Sequence, residues 1–409
     1  MEMLSPGQLR VAGPGSKQEK RKPMKCVVHI GLHKTGSSSI QNFFNENRDA
    51  LLDNGVNYLS FEREDFARHA NHSIPLFSLY SANPVNYREN IRQGIDTQEK
   101  ARNHNYRVRE IFEWEMSANT SPVFVISAED LIWLPWPALM KFRDDLAERF
   151  EKVVIMGYVR PPSSLVNSSL SQLVADSGMT LEDVVGLTKT RPGSFMTYGR
   201  LEKFYDVFGD DAVKIRRYGA DDLMDGDAVR DFLSFLGLQP QLAKKKIVDN
   251  SSLCAKAVEI FSILNRRVPL FENGAVNPKR SALQPFFRLL LQELTGRRAR
   301  LRPEIVEAAI EKLADDFNRL RERTGIDLLN EQESCLQGRY LPDKGPGRKT
   351  IAFAERLAAL VAADAAPDKD EQKALLGLVG SLNGGRRLTA GGRRALAGMV
   401  VCKERENLR

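Results

Sequence analysis

The chain has 409 residues, 60 Lys and Arg against 53 Asp and Glu, and a formal net charge of +7. That balance suits an anionic ligand, yet no helix–turn–helix, zinc-finger or RNA-recognition pattern accompanies it, so nucleic acid is not the expected partner. Four cysteines (Cys26, Cys254, Cys335 and Cys402) lie far apart in sequence, and Cys-x-x-Cys and His-Glu-x-x-His are absent, which speaks against a disulfide framework and a metal site.

Residues 1–23 are rich in Gly, Pro, Lys and Ser and read as a mobile tail without a secretory signal. No segment holds the ~18–20 uninterrupted apolar residues of a membrane span. A cytoplasmic protein is the expectation, with peripheral membrane contact left open. Residues 24–330 read as one α/β domain, with strands near 25–31, 122–127, 153–159 and 213–217 and helices between them. Residues 331–409 read as a linker followed by a small helical, basic extension.

The first strand, with Cys26, Val27, Val28 and Ile30, runs into His29-Ile30-Gly31-Leu32-His33-Lys34-Thr35-Gly36-Ser37-Ser38-Ser39. A helix carrying Ile40, Phe43, Phe44 and Leu51 on one face follows. Strand, Gly/Ser-rich turn and helix aim free backbone N–H groups and the helix dipole at an anion. A nucleotide-triphosphatase loop reads GxxxxGK[ST]. Here Gly31 and Gly36 keep that spacing, but Ser37 stands where the lysine belongs and Lys34 comes two residues before Gly36. A lysine inside the turn can meet the bridging oxygen of a 5′-phosphate whose terminal group is leaving. The plainer alternative is a solvated lysine on an ordinary turn.

Residues 54–121 are polar, with few strong apolar faces, and are the expected place for recognition of a second substrate. His69 and His72 lie there, in Arg68-His69-Ala70-Asn71-His72-Ser73. They are candidate bases near neutral pH or the end of a surface helix. His29, inside the first strand, reads as a core residue. The next strand ends in Ser127-Ala128-Glu129-Asp130, and the C-terminal edge of an open α/β sheet is where ligands bind. Glu129 is a candidate base, or a group that orients a neighbouring loop.

The strand Val153–Val159 ends at Arg160, followed by Pro161-Pro162 and a serine-rich helix with Ser168, Ser171 and Gln172. Arginine at a strand end can pair bidentately with phosphate. Ser168, eight residues on, reaches the same anion only if the chain bends back or the helix starts late. A surface arginine and a capping serine are the alternative.

Farther on, Val213–Tyr218 reads as a strand and Asp227–Leu236 as a helix stopped by Gly237. Asn250 and the serines beside it are expected to cap the next helix. The segment 266–302 reads as a lid, a dimer contact or core packing. A helix is predicted from Pro303 to Leu329, and two Ala/Leu helices near 351–363 and 370–382. Gly384-Gly385-Arg386-Arg387 and Gly391-Gly392-Arg393-Arg394 read as a basic tail.

The run His33 to Gln41, HKTGSSSIQ, resembles the 5′-phosphosulfate loop of sulfotransferases, enzymes that use 3′-phosphoadenosine 5′-phosphosulfate (PAPS). Arg160 with Ser168 resembles the family's 3′-phosphate site, and Ser171-Gln172 is similar to the ending of that stretch in bacterial members. Pro161-Pro162 departs from the polar residues usual there. Ser127-Ala128-Glu129 is similar to the Ser-Ser-Glu that follows this strand in bacterial relatives.

The resemblance implies a three-layer P-loop-like α/β domain with a central parallel sheet flanked by helices, plus a C-terminal helical extension. It implies sulfuryl transfer from PAPS to a hydroxyl or amine of an acceptor such as a glycan or glycolipid, without a metal. His33, Lys34, Thr35, Gly36, Ser37, Ser38 and Ser39 would hold the phosphosulfate, Lys34 also stabilising the leaving bisphosphate. Arg160 and Ser168 would bind the 3′-phosphate, and Glu129, or else His69 or His72, would take the acceptor proton. Two rivals remain: a P-loop nucleotide kinase, and a non-catalytic nucleotide- or glycan-binding protein on the same fold.

Overall fold

A computed structural model of the chain describes residues 24–384 apart from 33, 64, 65, 67, 68, 244–252, 273, 274, 330–338, 342–344 and 365. The expectations for the N-terminal tail, His33, Asn250 with Ser251 and Ser252, and the Gly-Arg repeats from residue 385 on lie outside the described residues.

The chain opens with β1 (Lys25–His29), a turn, and α1 (Ser37–Glu46). The helix expected to run on to Leu51 breaks at Asn47, whose ψ of 28° is not helical; Leu51 instead belongs to α2 (Arg48–Asp53). Next comes β2 (Val56–Tyr58), a strand that the sequence reading lacks. Three residues are too few to show a period of two. Helices α3 (Ser73–Tyr80), α4 (Arg88–Arg92) and α5 (Gln98–Ala118) fill the polar stretch. Then follow β3 (Val123–Ser127), α6 (Trp136–Ala147), β4 (Lys152–Val159) and α7 (Pro162–Ala175). Helices α8 (Leu181–Thr190) and α9 (Tyr198–Phe208) lead to β5 (Val213–Arg217) and α10 (Ala228–Phe235).

The five strands form one parallel sheet in the order β2-β3-β1-β4-β5. Strands β1, β3 and β4 read as largely apolar runs because helices cover both faces, while β5, Val-Lys-Ile-Arg-Arg, is only partly buried. Along β1 the pleat sends Cys26 and Val28 into the larger core and Val27 into the smaller one, under α1 and α10. From β1 the chain leaves toward β2 and β3; from β3 it crosses to β4 and β5 on the other side. The crevice beyond the C-terminal ends of β1 and β4 is therefore the topological switch point, where open α/β sheets bind ligands.

The remaining helices are α11 (Ala255–Arg267), α12 (Pro278–Gln292), α13 (Pro303–Thr324), α14 (Arg348–Ala362) and α15 (Lys369–Leu382). The N-cap of α11 falls at Cys254, two residues after the last of the serines expected to supply it. Helix α13 ends at Thr324, five residues early, because Gly325 takes a left-handed φ of 75° and stops it. Phe287, Leu290 and Leu291 of α12 are fully buried in the larger core. The same core receives Phe353, Ala354 and Leu357 of α14 and Leu375 of α15.

Candidate functional site

Two residues of the turn after β1, Lys34 (φ 68°) and Gly36 (φ 80°), are left-handed. At Gly36 a Cβ would lie 2.9 Å from the Ala228 Cβ and 3.2 Å from the Tyr218 ring, so only glycine fits. At Gly31 a Cβ would meet Ser37 Oγ at 2.0 Å and the Glu129 Cβ at 3.0 Å. Lys34 holds a conformation that costs an L-residue about 1–2 kcal/mol, and such strain collects at functional sites. The Thr35 hydroxyl is buried and donates to the Leu32 carbonyl, which braces the turn.

The N-terminus of α1 carries no side-chain cap and no acidic residue in its first turn. The first N–H groups of a helix have no intrahelical acceptor, and the dipole is positive there. Ser37 Oγ is buried and has no hydrogen-bond partner among the described residues. Ser38 and Ser39 are half-buried on the same turn.

Burial lowers the Lys34 ammonium to about 8; the charges of Arg288 and Arg160 push the same way, and Glu129 opposes them. Arg160 follows β4. Its Nη1 donates to the Lys34 carbonyl at 2.6 Å, its Nη2 donates to Ser164 Oγ, and its guanidinium lies 5.5 Å from the Tyr218 ring centroid. The motif after β1 and the motif after β4 thus meet at the switch point.

Pro161 is the N-cap of α7 and Pro162 its first residue, so the helix starts at once rather than late. This places Ser164 in the first turn against Arg160. Ser168 sits one turn farther along the same face, half-buried, with Oγ donating to the Leu165 carbonyl at 3.0 Å. Ser164 was missed by the sequence reading. Its signal is the proline pair, which starts a helix and brings residue i+4 back to Arg160.

Glu129 begins the short helical turn Glu129–Trp133 after β3. Asn71 Nδ2 donates to its Oε1 at 3.4 Å, and its charge acts on both Lys34 and His29. It also lines a cleft of about 760 Å³. One wall of the cleft comes from the polar stretch, with Asn71, Phe77 and Tyr87; another comes from α7, with Leu165, Ser169 and Gln172. Trp133 and Arg200 line it as well. The stretch 54–121 therefore builds part of this cleft, and later helices build the rest.

The two candidate histidines lie elsewhere. His72 is fully buried; its Nδ1 accepts the Ser127 N–H at 3.1 Å, and its ring packs on Tyr58 at 4.4 Å between centroids. Burial holds its pKa well below the usual 6.5. His69 is half-buried against Phe66, and burial lowers its pKa too. Neither is among the residues lining the cleft. His29 Nδ1 meets Ser127 Oγ at 2.8 Å, and burial pushes its pKa down to about 4.

Arg288 of α12 adds a cation that the sequence reading did not place. It pairs with Asp176 just beyond α7, and its charge reaches Lys34. Among the described residues no group of three or more His, Cys, Asp or Glu side chains is placed to hold a metal ion. No described helix is long and apolar enough to cross a membrane.

No protein-family model matches the sequence, and no curated protein matches it. Among solved structures, a sulfotransferase from Alicyclobacillus acidocaldarius is similar over 74% of this chain and 96% of that one, with 14% sequence identity and a TM-score of 0.39. At that TM-score the likeness is distant and carries no argument of its own, so what the site does has to be read from its own residues.

Proposed function

We propose that the chain is a PAPS-dependent sulfotransferase acting on a hydroxyl or amine of its acceptor. The observation that carries this reading is the contact between the two anion motifs: Arg160 Nη1 on the Lys34 carbonyl at 2.6 Å. An anion at the N-terminus of α1 and a second phosphate at Arg160 would then belong to one small molecule, as the 5′ and 3′ groups of a bisphosphorylated nucleoside do.

The residues fit such a donor. Among the described residues Ser37 Oγ is buried without a partner, the first turn of α1 carries no acidic residue, and Gly31 and Gly36 let the turn pack closely against Ser37, Glu129, Ala228 and Tyr218. The donor, when bound, supplies an activated sulfuryl group. Backbone N–H groups of residues 35–39 would bind its 5′ end, with the Ser37, Ser38 and Ser39 hydroxyls adding donors. Arg160, braced by Ser164, would bind the 3′-phosphate, with Ser168 farther along the same helix face.

Lys34 would hold a proton and a positive charge at the oxygen that becomes anionic as the bisphosphate leaves. Such preorganised charge is the main catalytic resource in the related chemistry of phosphoryl transfer. Glu129 would take the acceptor proton. It is the one candidate base that lines the cleft and also lies beside the turn. His69 and His72 are the weaker choices for that role on burial and position. A nucleotide kinase is disfavoured because Ser37 stands where its lysine would lie along the β- and γ-phosphates.

The test is single-turnover release of adenosine 3′,5′-bisphosphate from PAPS with a panel of hydroxyl and amine acceptors. Release that depends on an acceptor and fails in Lys34→Ala is expected. Release that is equal in both proteins would overturn the assignment of Lys34.

A further inference from the structure

At the mouth of the cleft lies an apolar surface that sulfuryl transfer does not call for. Among the described residues, three of the eight large hydrophobic residues that are exposed fall within eight residues of chain: Trp133 at 48%, Trp136 at 45% and Met140 at 40% exposure. Pro135 and Pro137 between them are exposed too. Tryptophan is buried in most folded proteins, and a cluster of exposed apolar side chains marks an interaction site.

This corner is held outward by its surroundings. Leu131, Ile132 and Leu134 are buried on the inner side, and Lys203 Nζ donates to the carbonyls of Ile132 at 2.6 Å and Leu134 at 2.7 Å. Helix α6 buries Leu139, Phe142 and Leu146 and leaves Trp136 and Met140, one turn apart, on its outer face. The Arg200 guanidinium stacks 4.0 Å from the Trp133 ring centroid.

We propose that the corner formed by Trp133, Trp136 and Met140 docks onto a lipid–water interface and so brings the cleft to acceptors carried by a membrane. Three observations select this occupant. Tryptophan is the residue that favours the interfacial zone, apolar on its face and polar at its N–H. Pro135 and Pro137 lack the backbone N–H groups whose burial under lipid would be costly. The exposed charges near by on α6 (Lys141 and Asp144) and just beyond it (Glu148 and Arg149) are of mixed sign, so the attachment rests on apolar insertion and accepts a zwitterionic bilayer. The patch is also continuous with the cleft, because Trp133 belongs to both. The surface stands without the donor chemistry; only its use in presenting an acceptor rests on the sulfotransferase reading.

The experiment is co-sedimentation of the full chain with phosphatidylcholine vesicles, with Trp emission as a second readout and adenosine 3′,5′-bisphosphate titration as the control. Binding with a blue-shifted emission that persists in high salt is expected. The Trp136→Ala/Met140→Ala double variant should partition about tenfold less and keep its bisphosphate affinity, since neither side chain lines the cleft. No sedimentation of the parent protein, or equal sedimentation of the double variant, would overturn the proposal. So would a concentration-dependent dimer that the double variant loses, because the patch would then belong to a second copy of the chain. Loss of bisphosphate binding in both proteins would count against the donor site and leave the lipid result standing.

Discussion

Arg160 and Lys34 are 126 positions apart in sequence, and the side chain of the first donates to the backbone carbonyl of the second at 2.6 Å. The contact spans the switch point of the sheet, tying the end of β4 to the left-handed residue of the turn after β1. Arg160 is thereby a brace for the turn and a candidate phosphate ligand at once.

This dual role shapes the first prediction. Arg160→Ala should weaken binding of adenosine 3′,5′-bisphosphate by about 1.5–3 kcal/mol, as expected for a lost charge-assisted hydrogen bond. The loss for AMP, which has no 3′-phosphate, should be smaller. Calorimetric titration of both ligands against both proteins reads the difference. Equal losses would mean that Arg160 only braces the turn.

Lys34→Ala should lower kcat by about 10²–10³-fold, the range seen for one lost charge-stabilising donor. Its affinity for the bisphosphate should change far less than its turnover. Stopped-assay kinetics beside a titration separate the two.

The pH dependence follows from the burial of the same amine. The Lys34 pKa is lowered from 10.5 to about 8, so its charge is present below that value and lost as pH rises through it. Turnover should therefore fall on the alkaline side, with a midpoint at or above 8 once a bound anion favours the charged form. Lys34→Arg, which does not titrate there, should lack that alkaline limb even if it is slower. By linkage, the unfolded chain binds more protons at this site between about pH 8 and 10.5. The contribution of Lys34 to stability thus rises with pH across that window. A pH–rate profile of the two proteins checks the catalytic part.

Glu129→Gln keeps the shape of the side chain and removes its basicity. A drop in kcat of about 10²-fold or more is expected, with bisphosphate affinity retained. His72→Ala should behave differently. It leaves the Ser127 N–H without its acceptor in the core and should cost about 1–3 kcal/mol of stability, read as a lower denaturation midpoint, with kcat of the folded fraction unchanged. A large kcat loss in His72→Ala with normal stability would move the base away from Glu129.

What was legible in the chain divides along physical lines. Strands β1, β3 and β4 were readable because helices on both faces make parallel strands continuously apolar, as Val27, Val28, Ile155 and Tyr158 show; β5 is a mixed run in which Val213 and Ile215 alternate with charged residues. The turn between β1 and α1 was readable because glycine spacing and the misplaced lysine are local in sequence. The edge strand β2 was not, being three residues long. Nor was the break at Asn47, where no glycine or proline announces it. Helix α13 was read too long although Gly325 marked its end. The placement of His72 in the core and of Arg288 near Lys34 depends on tertiary packing and leaves no periodic trace. Ser164 was legible in principle through Pro161-Pro162, and the serine-rich composition of α7 obscured it.

The most direct test of the donor site is calorimetric titration of the purified chain with adenosine 3′,5′-bisphosphate beside AMP and ATP, without added metal. The account predicts clear preference for the bisphosphate, lost in Arg160→Ala. No binding of the bisphosphate, or binding only of ATP when magnesium is added, would contradict it.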